Sequence, residues 1–238
     1  MRIKRSKRSR KSSSSNVVKR MKRLGVGLRT GGFVVGRRGR VGTAELKFVD
    51  SAPIGSFANG TASVRAVLNA LAPGSSASQR IGRTVEMKSI AYRVHMASGA
   101  TTVSTGKVPA NCRMLIVYDG QTNGALPATT DVLDAAAVDS LLNLSNRDRF
   151  RVLKEHRWRI SSQDLNLSAV PSSILFTGYI KIPKAYQKTT YNAGVAGSVA
   201  DIVTGGLFVI FVWDSPVSIW ATAQPLTFST FRVRYRDV

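Results

Sequence analysis

The first carboxylate of the chain is Glu45, and ahead of it stand fifteen lysines and arginines. A segment so charged repels itself and lacks the apolar surface that would offset the entropy of ordering it. A folded core is therefore confined to the residues beyond it. Of the 35 basic residues in the 238-residue chain, 20 lie beyond this segment against all 13 acids. The formal net charge of +22 is thus mostly a property of the N-terminal end. Hydrophobic residues make up 43% of the chain, which supports a sizeable core in the remainder. The expected division is a basic arm with a glycine-rich linker over 1–42 and a folded domain over 43–238.

The arm divides further into a basic-serine stretch (2–16), a basic-apolar stretch (17–28) and the linker (25–42). Val17, Val18, Met21 and Leu24 follow helical spacing, so a short helix on binding is compatible with an arm that is otherwise expected to be disordered. Its cations are Arg2, Lys4, Arg5, Lys7, Arg8, Arg10, Lys11, Lys19, Arg20, Lys22, Arg23, Arg29, Arg37, Arg38 and Arg40. Nucleic-acid phosphate rewards such a series most, because each contact releases condensed counterions. With Phe33 the only aromatic there, the arm is expected to follow a backbone and not to read bases. The runs 4–11 and 19–23 also fit recognition by nuclear import receptors. A mitochondrial transit peptide is disfavoured, since residues 2–11 contain one apolar residue, Ile3, and offer no amphipathic face.

No apolar stretch succeeds the basic start as a secretory signal requires. The longest strongly apolar run, Leu207 to Trp213, is too short to span a bilayer, so no membrane insertion is expected. A single cysteine, Cys112, excludes an intrachain disulfide. The sequons at Asn59, Asn143 and Asn166 accordingly carry no weight.

From residue 44 onward the texture is short β-rich runs separated by turn-rich loops. Strands are expected at 44–50, 83–97, 111–119, 149–161, 174–182, 185–192, 206–214 and 226–236. Helical texture is confined to 62–71 and to 131–142, the latter with Asp131 as N-cap and Asp134 in its first turn. Eight strands with long loops and short helices within them predict an all-β fold, a single eight-stranded jelly roll of two packed antiparallel sheets. Other β-sandwiches share the pattern. In 149–160 the two-residue period places Phe150, Val152, Trp158 and Ile160 on one face and Arg149, Arg151, Arg157 and Arg159 on the other. In 231–236 it separates Phe231, Val233 and Tyr235 from Arg232, Arg234 and Arg236. These seven arginines are candidate phosphate contacts beside the arm.

No catalytic constellation is present. His95 and His156 lie within expected strands, without a carboxylate–histidine–cysteine set at metal spacing. No serine sits in a G-x-S-x-G elbow. Gly106-Lys107 is followed by Val108 where a phosphate loop needs Ser or Thr, and the glycines at 25, 27, 31 and 32 read as linker. Cys112 reads as a small core residue. Neither an enzyme nor a metal or cofactor site is expected, and zinc-finger, leucine-zipper and RNP motifs are missing.

Several segments, in order, resemble the coat proteins of small circular single-stranded DNA viruses, the circovirus-like and geminivirus-like groups. They are AELKFVD (44–50), RIGRTVEMKSI (80–90), VYDGQTNGALP (117–127), NRDRFRVLKEHRW (146–158), YQKTTYN (186–192), ADIVTGGLFVIFVWD (200–214) and FRVRYRD (231–237). The resemblance implies a capsid protein whose jelly roll assembles into a closed icosahedral shell of about sixty copies. It further implies an inward arm that packages single-stranded genomic DNA, and residence in the virion and, during infection, the host nucleus. Two other readings share the residues. One is a non-assembling nucleic-acid shuttle or chaperone; the other is a jelly-roll coat protein of a small RNA virus or satellite. An organellar ribosomal protein is a more distant fourth. Phosphate neutralisation is blind to the sugar, so arm composition does not separate DNA from RNA.

Overall fold

The computed structural model describes residues 45–51, 63–97, 109–161, 173–214 and 226–238. The expected arm and the boundary at 42/43 lie outside them. Ten strands are present: β1 Lys47–Asp50, β2 Ser63–Val67, β3 Thr84–Ala97, β4 Pro109–Asp119, β5 Phe150–Ser161, β6 Ser173–Lys181, β7 Lys188–Tyr191, β8 Ile202–Thr204, β9 Gly206–Asp214 and β10 Leu226–Asp237. One sheet runs β1-β10-β3-β7-β8, with β6 also on β3; the other runs β2-β9-β4-β5. Every pairing is antiparallel.

Strands β6 and β7 occupy successive stretches of the same edge of β3, Ser89–Ala97 and Thr84–Glu86. Counted as one position, they leave β1-β10-β3-β6/β7 packed on β2-β9-β4-β5, the two four-stranded sheets of a jelly roll, with the short β8 added beyond β7. The all-β jelly-roll expectation is therefore met, and each of the eight expected strands has its counterpart. The correspondence is not one-to-one. The eighth jelly-roll strand is β2, which the sequence reading made a helix over 62–71. Val64, Ala66 and Val67 instead pair along β9 at Phe211, Val209 and Phe208. That pairing buries apolar side chains on a strand ladder and overrides a short helical pattern.

The helix expected over 131–142 is also absent. Only one turn forms, α1 Thr129–Val132, and Asp131 lies inside it. Its carboxylate accepts from the Ala128 amide at 2.7 Å. Leu133 is already extended and bridges Leu142. Burial of Val132, Leu133 and Val138 against a sheet decides this segment, since few helical turns survive without tertiary support.

The main core lies between the sheets. It joins Ile90, Tyr92, Val94 and Met96 of β3, Met114 and Ile116 of β4, Val209 and Phe211 of β9, and Phe231, Val233 and Tyr235 of β10. Cys112 and Ile160 are buried there as well, and each large apolar side chain so buried contributes about 1.5–3 kcal/mol. Polar groups at one end of the core are satisfied internally. Asn69 donates to the Gly205 carbonyl at 3.0 Å and accepts from the Leu207 amide at 2.9 Å, while the Tyr191 hydroxyl donates to the Asn69 carbonyl at 2.6 Å. Burial raises the Tyr191 hydroxyl far above its ordinary pKa. Arg80 is also structural: it is buried, donates to the carbonyls of Leu71 and Gly194, and lies 4.6 Å over the Tyr191 ring.

Two bulges decide which side chains face out. Lys88 is extra on β3, since Arg234 opposes Ser89 while Tyr235 opposes Met87. Leu153 is extra on β5, since Ile116 opposes Lys154 while Val117 opposes Val152. Each inserted residue exchanges the faces of the strand on its two sides.

Candidate nucleic-acid interface

The second bulge corrects the face expected for β5. Beyond it, Trp158 and Ile160 point into the main core, whereas Phe150 and Val152 pack on the opposite face of the sheet. The four arginines are divided with them. Arg157 and Arg159 lie on the outer face with Phe150 and Val152, and Arg151 falls on the other side.

That outer face is covered by the chain's own β4–β5 connection. Leu115, Val117, Ile210, Val212 and Phe150 form a second buried cluster with Val132, Leu133 and Val138. Arg113, 2% exposed, donates to the carbonyls of Val138 and Ser140 at 3.3 and 2.5 Å. Glu155 lies 3.1 Å from it and also accepts from Arg157 at 2.5 Å. Arg157 is thus committed to a carboxylate. Arg149 is too, holding both oxygens of buried Asp119 at 2.9 Å, and this pairing raises its pKa. Both arginines serve structural ion pairs. Arg151 and Arg159 are exposed.

Among the described residues, nothing covers the outer face of the six-stranded sheet. On β10 the expected alternation holds: Phe231, Val233 and Tyr235 are fully buried, Arg232 and Arg234 are exposed and Arg236 is half-buried. Cross-strand register brings further residues beside them. One row reads Asp50, Arg232, Ala91, Tyr179, and the next reads Phe48, Arg234, Ser89, Lys181. Arg93 stands a row further along, between Thr230 and Thr177, and His95 stacks on Phe228 with ring centroids 6.0 Å apart.

Arg232 gives both oxygens of Asp50 a hydrogen bond of 2.7 Å and lies 4.6 Å over the Phe48 ring. These bonds hold the Asp50 carboxyl below its ordinary pKa. Arg93, Arg234 and Lys181 have no acidic partner among the described residues. Three unpaired cations and exposed aromatic rings on one pleated surface suit phosphates and bases together. Sequence reading singled out Arg232, Arg234 and Arg236 on this face but not Arg93, Tyr179 and Lys181, which the register places beside them. The outward alternation of Leu175, Thr177, Tyr179 and Lys181 along β6 was the available signal for the last two.

Among the described residues there is no cluster of three or more His, Cys, Asp or Glu able to hold a metal, and no helix long and apolar enough to cross a membrane. His156 packs against Phe176 and Tyr92 at 4.9 and 6.4 Å between ring centroids.

The model of the satellite tobacco necrosis virus coat protein family matches residues 42–230, from just before β1 into β10. The chain belongs to that coat protein family. A coat protein of Maize white line mosaic Satellite virus is 26% identical over 126 residues, which is 52% of this chain and 56% of that protein. The chain therefore spans little more than half of that relative's length. Among solved structures, VP1 of Trichodysplasia spinulosa-associated polyomavirus is similar over 83% of this chain and 96% of its own, at 9% identity and a TM-score of 0.20, a level that carries no weight here. The basic sheet face thus lies on a member of a coat protein family.

Proposed function

We propose that the chain is the shell-forming coat protein of a satellite virus, that about sixty copies close an icosahedral shell, and that it packages single-stranded RNA. One structural asymmetry carries this reading. The outer face of one sheet is covered by the chain's own β4–β5 connection, while no described residue covers the outer face of the other, which carries cations without an acidic partner among the described residues. Turned inward, that face would join residues 2–40 in contacting the genome. Sixty arms of fifteen cations each would neutralise on the order of a thousand phosphates, a fitting scale for a compact genome.

Match to a satellite-virus coat family supports this alternative over a circular single-stranded DNA virus. Recognition of residues 4–11 and 19–23 by nuclear import receptors is compatible with either genome. The role is structural and not enzymatic.

Negative-stain electron microscopy of the expressed full chain tests the proposal, combined with DNase and RNase digestion before and after particle disruption. Uniform closed particles whose RNA resists RNase until disruption are expected. Protected DNA would restore the DNA reading. Monomers that bind nucleic acid without forming particles would favour the shuttle or chaperone.

A further inference from the structure

On the outer face of the six-stranded sheet, the side chains of β3 at Ser89 and Ala91 are shorter than those of the strands on either side. Arg232 and Arg234 on β10 oppose Ala91 and Ser89 on β3, which in turn oppose Tyr179 and Lys181 on β6. Alanine and serine are short, so β3 is low between two taller rims. The result is a trough. One part, about 640 Å³, lies over Ala91 between Arg232 and Arg234 on one side and Thr177 and Tyr179 on the other, with Arg93 at its end. The adjoining part, about 500 Å³, lies over Ser89 and is bordered by Lys181, Lys184 and Arg236. Tyr179 and Arg234 line both, so the two parts adjoin at these side chains. Each is within the range of small-ligand sites.

Tyr179 is 65% exposed. It has no aromatic ring partner among the described residues, unlike Tyr92, Phe176 and Phe231, which pack on one another beneath it. A large flat side chain that is mostly exposed on a paired strand, with Arg93 a row to one side and Lys181 and Arg234 in the row on the other, has the makings of a stacking platform. Arg234 and Lys181 have no acidic partner, whereas the carboxylate of Asp50 is already occupied by Arg232. The trough therefore favours a polyanion with planar apolar groups. A duplex hides its base faces within its stack, so the complementary form is an unpaired strand.

From these features we infer that the trough between β10 and β6 is a single-strand RNA subsite: Tyr179 stacks one unpaired base, and Arg234 and Lys181 pair with the flanking phosphates. This rests on the reading of the chain as a genome-packaging coat protein and adds to it a preference for unpaired segments on the shell face. The arm supplies the larger, sequence-blind attraction. The subsite selects strands whose bases are free, and neither stacking nor phosphate pairing there reads base identity.

The test compares full-length protein with Tyr179→Ala, Tyr179→Phe and Arg234→Ala variants in binding a twelve-residue oligouridylate and an RNA duplex of equal phosphate number, across a salt series. Tyr179→Ala is expected to weaken oligouridylate binding about ten-fold, with an unchanged salt slope and unchanged duplex binding. Tyr179→Phe keeps the stacking ring and should match the wild type. Arg234→Ala should lower the salt slope by about one. Thermal melting checks that the variants fold alike. Equal single-strand affinity in Tyr179→Ala and wild type, or an equal fall for single strand and duplex, would overturn the subsite. RNase-protected particles from wild type alongside either of those results would overturn the subsite alone. Absence of particles from wild type as well would overturn the packaging reading beneath it.

Discussion

Arg149 donates two hydrogen bonds of 2.9 Å to the two carboxylate oxygens of Asp119, whose side chain is completely buried at the end of β4. The pair ties the chain entering β5 to the chain leaving β4, and the Gln121 amide donates to the same carboxylate at 2.9 Å. A buried carboxylate is tolerated only with such partners, and breaking a buried pair costs about 3–5 kcal/mol. Arg149 is 29% exposed, so solvent screens part of that cost.

Arg149→Ala is therefore expected to destabilise the domain by about 3 kcal/mol in chemical denaturation. Adding Asp119→Asn removes the stranded charge and should recover part of the loss. If Arg149→Ala weakened RNA binding without altering stability, its assignment as a counter-ion would be wrong.

The bulge at Leu153 places Phe150 and Val152 on one face of the sheet and Trp158 and Ile160 on the other. Deleting Leu153 abolishes the exchange of faces and drives arginines or apolar groups to the wrong side. The expected cost exceeds about 4 kcal/mol, among the larger effects known for a single residue. Leu153→Ala keeps the bulge and should cost about 2 kcal/mol. Equal effects would contradict the register.

His156 is drawn below its ordinary pKa of 6.5 by burial against Phe176 and Tyr92 and by the nearby charge of Lys154. Because its folded-state pKa is depressed, the unfolded chain takes up the proton first. Stability contributed by neutral His156 is thus full above about pH 6.5 and falls as pH drops toward the folded-state value. Melting temperatures between pH 7 and pH 5 should decline less in His156→Gln than in wild type. A decline of the same steepness in both would remove His156 as the cause.

Gly205 and Gly82 both adopt positive φ, +76° and +84°. A β-carbon at Gly205 would lie 2.2 Å from the Lys188 carbonyl oxygen, while nothing lies within 4 Å of one at Gly82. Gly82→Ala should cost about 1–2 kcal/mol from backbone strain alone. Gly205→Ala adds a backbone clash in the turn from β8 to β9 and should cost clearly more, as read by urea midpoints. The reverse order would refute the argument.

All eight expected strands were legible because each carries its own run of β-branched and aromatic residues between turn signals. What the sequence hid was non-local. Residues 62–71 read as helix, and only pairing across the sheet, as of Val64 with Phe211, makes Ser63–Val67 a strand. Period-two counting assumes an unbroken strand, so Leu153 could not announce that Phe150 and Trp158 face opposite ways. The placement of Arg232 and Arg234 on one face was legible because they alternate within one strand. Tyr179 and Arg93 belong to the same surface through pairings of three strands separated by tens of residues. The carboxylate partner of Arg149, Asp119, lies thirty residues away and is apparent only in three dimensions, whereas Glu155, two residues from Arg157 on the same face, was within reach of period-two counting.

The central claim is that the basic outer face of the six-stranded sheet meets the packaged strand. Ultraviolet cross-linking of purified, RNA-filled particles, followed by mass spectrometry of the attached peptides, tests it most directly. Cross-links are predicted in residues 1–42 and at Tyr179, Phe228 and Phe48, with none in the β4–β5 connection over 120–149. Cross-links concentrated in 120–149, with none on β6 or β10, would contradict the account.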